Sequence, residues 1–224
     1  YFDSIPIICI TGQVNTNESR NGRMVRQIGF QEIEVVDIVK TLTKFSAKLE
    51  SAEDIRYILE KAFYIARSGR PGPVLIDIPM NFQRAEISPK KLRRFEKTEI
   101  KLDVDTKKTI KGKIKKAIDL IKKAKRPVVI AGGAIRYADQ IKEFNGLIKL
   151  FSFPVVATWS GIDVVWHDHP LYRGQTGVYG GRGANFTVQN SDCIISIGSR
   201  LDTRITGGRP ETFGREAKKI VVDI

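Results

Sequence analysis

The chain has 224 residues, 42% of them hydrophobic, enough to bury one large core or two modest ones, and it carries a formal net charge of +13. No apolar run approaches the roughly 18 residues that span a bilayer, and Tyr1-Phe2-Asp3-Ser4 lacks the basic-then-apolar build of a secretory leader. Cys9 and Cys193 are the only cysteines and each sits in an apolar run, which predicts two buried, inert thiols in a reducing cytoplasm rather than a disulfide framework.

In chain order, the run from Ile5 to Thr11, ended by Gly12, predicts a buried parallel strand with a loop at its carboxyl end. Asn15 to Gly29 is polar and glycine-bearing, a functional loop by pattern, and Glu32 to Val39 suits a short helix. Ile55, Ile58, Leu59, Ala62, Phe63 and Ala66 recur at three- and four-residue spacing, the stripe of an amphipathic helix that Ser51 can cap and Gly69 stops. Arg70-Pro71-Gly72-Pro73 then turns the chain into a second buried strand, Val74 to Ile78, ended by Pro79.

Between Arg84 and Arg126 stand seventeen Lys/Arg against six Asp/Glu, nearly the whole charge excess. Phe95 is the only aromatic residue there, so the stretch has no platform on which bases could stack, and it predicts a solvated linker over 85–105 with a basic helix face after it. A new helical stripe begins at Ile110, Ile114, Ile118 and Ile121 and opens a second domain, 106–224, after a first that spans 1–84. Strands are expected at Pro127–Ala131, Pro154–Thr158, Cys193–Gly198 and from Ile220, alternating with helices over Asp139–Phe151 and Ala184–Asn190. That alternation predicts an α/β fold of parallel sheets sandwiched between helices, with right-handed crossovers. No initiator Met precedes the first strand and the last run is still apolar at Ile224, so both ends read as cut.

Ligands of open parallel sheets bind beyond the carboxyl ends of the strands, so the residues there are the candidates. They are Gly132-Gly133-Ala134, Thr158-Trp159-Ser160-Gly161, and Gly198-Ser199-Arg200-Leu201-Asp202-Thr203-Arg204. Small residues let a cofactor approach the backbone and arginines pair with phosphate, which favours a dinucleotide, although the turn at Gly132 is not the Gly-x-Gly-x-x-Gly fingerprint. A surface salt bridge with Asp202 is the plainer role for Arg200 and Arg204. Phe30 either meets a ligand or partner or packs the loop, and Glu32 suits the start of a helix electrostatically. His167 and His169, the only histidines, form no recognisable zinc pattern, and no metal site is expected.

Ordered motifs carry a resemblance over essentially the whole chain. Asp3-Ser4-Ile5-Pro6, Ile10-Thr11-Gly12-Gln13-Val14, Gly29-Phe30-Gln31-Glu32, Thr43-Lys44, Ser68-Gly69-Arg70-Pro71-Gly72-Pro73-Val74 and Asp77-Ile78-Pro79 resemble the second half of the pyrimidine-binding domain of acetolactate synthases, which are thiamine-diphosphate-dependent enzymes. Ala184-Asn185-Phe186, Val188-Gln189, Asp192 and the run from Gly198 to Gly207 resemble the same family's Rossmann-like, FAD-type middle domain.

The likeness implies a carboligase that decarboxylates a 2-oxo acid such as pyruvate and passes the acyl unit to a second carbonyl, with thiamine diphosphate and Mg2+ as cofactors and a mainly structural FAD. It places Phe30 and Gln31 beside the reaction centre. It places Asp3, Arg70, Gly132, Gly133, Ala134, Thr158, Trp159, Ser160, Gly177, Gly198, Arg200 and Arg204 at FAD-contacting positions. The family's activating glutamate and its diphosphate-binding domain fall outside these residues, so the chain by itself is expected to be inactive, and the full-length protein is expected to be a homo-oligomer with its active site between subunits. Two departures bear on the substrate: Met80 stands where the family commonly has Lys, and Arg26-Gln27-Ile28-Gly29 where it has Gly-Thr-Asp-Ala. A sugar-ketone acceptor in surface-polysaccharide synthesis, a related thiamine-dependent decarboxylase or oxidase, and a non-catalytic basic module that binds nucleic acid are the competing readings.

Overall fold

A computed structural model describes residues 1–100 and 107–223. The chain divides into two compact units, Tyr1–Val104 and Asp105–Ile224. The expected linker is described only to residue 100, and its remainder, like Ile224, lies outside the described residues.

The first unit holds β1 (Ile8–Gln13), α1 (Val35–Val39), β2 (Phe45–Lys48), α2 (Ile55–Arg67), β3 (Val74–Pro79) and α3 (Met80–Gln83). Its three strands are parallel in the order β1-β3-β2, with Ile8 and Phe45 both in register with Val74. The helical stripe read from the sequence packs Ile58, Leu59, Ala62 and Ala66 onto Val74, Ile76 and Ile78. Each fully buried valine or isoleucine of that contact contributes about 1.5–3 kcal/mol. Ser51 Oγ accepts the Glu53 N–H at 3.3 Å ahead of the helix. At its other end Lys44 Nζ donates to the carbonyls of Ile65 and Ser68, a cation on the helix's unpaired carbonyls. Burial holds the Lys44 ammonium below the ordinary lysine range.

Two expectations are corrected here. The first strand begins at Ile8 rather than Ile5, and it is not buried: among the described residues it pairs with β3 alone, and Ile8 is 38% and Ile10 59% exposed. Cys9, on this edge strand, is exposed, and only Cys193 is buried. The sequence also missed β2, because Phe45-Ser46-Ala47-Lys48 is four residues long with no apolar run to mark it. Beyond α3, the part of the expected linker that is described lies along α2. Phe95 is buried against the rings of Tyr57 and Tyr64, and its N–H donates to the Glu60 carboxylate at 3.0 Å.

The second unit holds α4 (Lys107–Lys123), β4 (Pro127–Ala131), α5 (Ala134–Tyr137), α6 (Ile141–Phe151), β5 (Val155–Ala157), β6 (Tyr172–Gln175), α7 (Arg182–Gln189), β7 (Cys193–Ile197), α8 (Thr203–Thr206) and β8 (Lys218–Val222). All five strands are parallel, in the order β6-β5-β4-β7-β8. Starting from the central β4, the chain builds outward through β5 and β6, then returns to the far side of β4 for β7 and β8. The order therefore reverses between β4 and β7, which is where open α/β sheets form their ligand crevice.

Alternation along each strand feeds two cores. Val129, Ala131, Val155, Cys193 and Ile195 face Phe144 and Ile148 of α6, while Val128, Ile130, Val156 and Ile194 face Ala184 and Val188 of α7. At the foot of the sheet the Asp192 carboxylate accepts the N–H groups of Lys125 and Arg126 at 2.7 and 2.9 Å, tying the start of β7 to that of β4. Strand β6 went unread because Tyr-Arg-Gly-Gln has no apolar run and pairs only at the sheet's edge.

Candidate functional site

In the second unit the loops that follow β4 and β7 meet at the reversal point. Gly132 N–H donates to Ile197 O at 2.8 Å and Ala134 N–H to Gly198 O at 3.1 Å. A Cβ on Gly132 would lie 2.0 Å from Gly198 O, so no other residue fits. Gly198 has a φ of +68°, a region L side chains enter only at a cost, and its own Cβ would stand 2.8 Å from Ile135 N. The loop after β5 joins the same line: Thr158 N–H donates to Ala131 O at 2.9 Å, and Gly133 lies against Ser160. So does the loop after β6, where Val178 N–H donates to Arg204 O at 2.8 Å. Asn185 secures this last loop, donating to Gly177 O while its Oδ1 accepts from Gly177 N and Thr176 Oγ1.

Four strand ends thus form one rim, and exposed flat and cationic groups stand on it. Arg204 donates from Nη1 to the Tyr179 hydroxyl at 2.8 Å with its guanidinium 5.6 Å from that ring's centroid. Trp159 meets Tyr179 edge-on at 5.4 Å. Trp159 and Tyr179 are 61% and 64% exposed, unusual for large aromatic residues outside a contact surface. Arg200 is paired with Asp202 through Nε at 3.1 Å and Nη2 at 3.0 Å, the plainer of its two expected roles. Asp202 Oδ1 also accepts the backbone N–H of Arg204 at 2.9 Å, so the same carboxylate that orients the Arg200 guanidinium caps the start of α8. Glycine-lined backbone, guanidinium groups and exposed ring edges are the donor set that a nucleotide with phosphates and a planar ring would use.

The first unit has a second cluster at the carboxyl ends of its strands. Asp77, buried on β3, accepts from Thr11 Oγ1 at 2.7 Å and Gln13 Nε2 at 3.0 Å. Gln13 Nε2 also donates to Ile33 O at 2.7 Å, which anchors the far side of the loop that bears Phe30. Phe30 is 87% exposed and so does not pack the loop. Gln31 has a φ of +65°, a left-handed conformation that costs a non-glycine residue about 1–2 kcal/mol. Glu32 does not cap the helix that follows. Its carboxylate instead accepts from Ser19 Oγ at 2.9 Å and from the N–H groups of Arg20, Ile28 and Gly29 at 2.7, 3.0 and 3.4 Å. The Arg20 and Ile28 amides above all hold its pKa down at about 2.

The predicted residues therefore fall in three places. Gly132, Gly133, Ala134, Thr158, Trp159, Ser160, Gly177, Gly198, Arg200 and Arg204 gather along the second unit's rim. Phe30 and Gln31 stand at the first unit's loop tip. Asp3 and Arg70 precede β1 and β3 and so lie at the amino ends of those strands, where Arg70 Nη1 donates to Ser4 Oγ at 3.3 Å. A largely apolar groove of about 680 Å3 beside α2, lined by Ile8, Leu59, Phe63 and Tyr64, is at that same end and away from Phe30. Tyr179 is the rim residue that sequence reasoning missed. It follows the short strand β6, and the only cue was its place beside Gly177. Among the described residues no group of three or more His, Cys, Asp or Glu is placed to hold a metal ion, and no helix is long and apolar enough to cross a membrane.

The reversed strand order and glycine-built rim are those of a nucleotide-type parallel domain, and comparison with known proteins gives the class. Residues 114–224 match the family "Thiamine pyrophosphate enzyme, central domain". The chain belongs to the thiamine pyrophosphate enzymes. Within them its likeness is to acetolactate synthase large subunits. It is 36% identical over 225 residues to a probable acetolactate synthase large subunit of Methanococcus aeolicus, covering 99% of this chain and 36% of that protein. It is 36% identical over 230 residues to the Methanocaldococcus jannaschii counterpart, covering 100% and 37%, and 32% identical over 222 residues to the acetolactate synthase isozyme 2 large subunit of Escherichia coli, covering 99% and 38%. The chain spans a little over a third of the length of these relatives.

Proposed function

We propose that this chain is part of a thiamine-diphosphate-dependent carboligase of the acetolactate synthase type, in which a 2-oxo acid is decarboxylated and its acyl unit passed to a second carbonyl. The observation that carries the reading is the whole-length relation to acetolactate synthase large subunits, together with two clusters at strand carboxyl ends, where such chemistry is housed. Thiamine diphosphate, with Mg2+, supplies the electron sink for decarboxylation. The residues of this chain bind and shape. Gln31 offers an amide to cofactor or substrate, and the exposed Phe30 walls the reacting centre off from water.

FAD suits the rim of the second unit. Gly132, Gly133 and Gly198 let the loops after β4, β5 and β7 close on one another at the rim, where Arg200 and Arg204 would pair with phosphate and Trp159 with Tyr179 would meet the cofactor's rings. Its part there is structural, because the proposed reaction has no net redox change. The proposed assembly is a homo-oligomer with the active site between subunits. The test is to purify the full-length protein, record its spectrum and assay two pyruvates condensing to acetolactate with thiamine diphosphate and Mg2+. Efficient condensation by a yellow protein supports the reading, and a protein that decarboxylates pyruvate without forming a carbon–carbon bond overturns it.

One observation favours a different acceptor. Met80 opens α3 at the carboxyl end of β3, 40% exposed, with Arg84 Nη2 at 2.9 Å from its Sδ. Methionine stands where the resemblance implies lysine, although Arg84 still brings a cation to the position; a sugar-ketone acceptor is the second reading, and turnover with such ketones exceeding that with pyruvate decides for it.

A further inference from the structure

The strained tip and the carboxylate behind it point to a positioning residue. We infer that Glu32 holds Phe30 and Gln31 in their working conformation by gathering both arms of the loop onto one carboxylate; the catalytic significance rests on the reading of Phe30 and Gln31 given above, the clamp itself does not.

One carboxylate oxygen, Oε1, accepts from Ser19 Oγ and the Arg20 N–H on the first arm. The other, Oε2, accepts from the Ile28 and Gly29 N–H groups on the second. Between the second arm and Glu32 the chain makes a four-residue turn, with Glu32 N–H donating to Gly29 O at 3.2 Å and Gln31 left-handed within it. A left-handed glutamine persists only where its surroundings over-determine it. Three further features do so. Gly29 is pressed against Val14 and the Glu18 carbonyl so closely that a Cβ there would come within 2.9 Å of Val14. Ile33 O is tied through Gln13 to the buried Asp77. Asn81, at the start of α3, accepts the Thr16 N–H and donates to Thr16 Oγ1, both at 3.0 Å, fixing the base of the first arm. Every neighbour of Phe30 and Gln31 is thus pinned while the Phe30 ring itself is left exposed. A glutamine cannot replace Glu32, because its amide group would present N–H donors to N–H donors on one of the two arms.

The test uses the full-length protein with Glu32→Gln, Gln31→Ala and the double variant, plus Ser19→Ala as a milder lesion, each checked for an intact melting transition. Amide exchange at Arg20, Ile28 and Gly29, the amides the carboxylate holds, should rise at least tenfold in Glu32→Gln and in smaller measure in Ser19→Ala, with no change in α2. If 2-oxo acid turnover is followed, kcat should fall at least tenfold in Glu32→Gln with KM nearly unchanged, and the double variant should be no slower than Gln31→Ala alone. Exchange at Arg20, Ile28 and Gly29 that stays at its wild-type value overturns the clamp, as does a double variant whose losses multiply. Full activity of Gln31→Ala, with exchange still raised by Glu32→Gln, overturns the site reading and leaves the clamp standing.

Discussion

Replacing Gly132 by alanine should lower the melting temperature of the second unit by roughly 12–24 °C. The added Cβ would sit 2.0 Å from Gly198 O and 2.4 Å from Gly198 C, atoms of a backbone that cannot swing aside because Gly198 is itself pressed on Ile135 N. Overpacking of this kind costs about 1–3 kcal/mol and more where backbone must move. Parting the two loops also weakens the Gly132 to Ile197 and Ala134 to Gly198 hydrogen bonds, at about 0.5–1.5 kcal/mol each. The combined loss is about 4 kcal/mol, and for a unit of this size each kcal/mol moves the midpoint by about 3–6 °C. Calorimetry of the chain with Gly146→Ala as control checks it: Gly146 lies inside α6 with open space where a Cβ would go, so alanine there should add about 0.5–1 kcal/mol of stability. A Gly132→Ala chain that melts within 3 °C of wild type would refute the claim that the β4 and β7 loops meet at this point.

Three further outcomes are expected. Glu32 titrates at about 2 against an ordinary 4.5, a depressed carboxyl, so its hold on the loop is complete above pH 4.5 and is lost as pH falls through 2; carboxyl-carbon NMR should show that midpoint, and one near 4 would contradict the four donors. In the folded chain Cys9 should react with a thiol reagent within minutes while Cys193, buried and with its thiol pKa pushed up by burial and by Asp192, reacts only on unfolding; equal rates would contradict the edge position of β1. Lys44→Met should cost about 1.5–3 kcal/mol in denaturant titration, because two carbonyls at the end of α2 lose a charged donor, and a change under 0.5 kcal/mol would show that water replaces it.

Much of this architecture was legible in one dimension. Burying a strand on both faces demands a short continuous apolar run, and covering it demands a helix with a one-sided stripe. Val74–Pro79, Pro127–Ala131 and Cys193–Ile197 are such runs, and Ile55–Arg67 and Ile141–Phe151 are such helices, so the parallel α/β class followed from pattern alone. Of the four edge strands among the described residues, two did not announce themselves, because an edge needs no apolar run: Phe45–Lys48 and Tyr172–Gln175 were invisible, whereas the edge strand Lys218–Val222 was read from Ile220 on. Conversely, the apolar run at β1 promised burial that its edge position does not provide.

The residue types at the candidate sites were equally plain from the sequence, since glycines, arginines and an exposed aromatic after strand ends are local facts. Which of them share a place is a matter of long-range pairing. That Gly132 touches Gly198 and that Glu32 closes a loop rather than capping a helix depend on strands and loops brought together across up to 66 residues of chain. Local sequence determines the conformations a segment can adopt, whereas strand order and hydrogen bonding across distant segments determine which side chains meet.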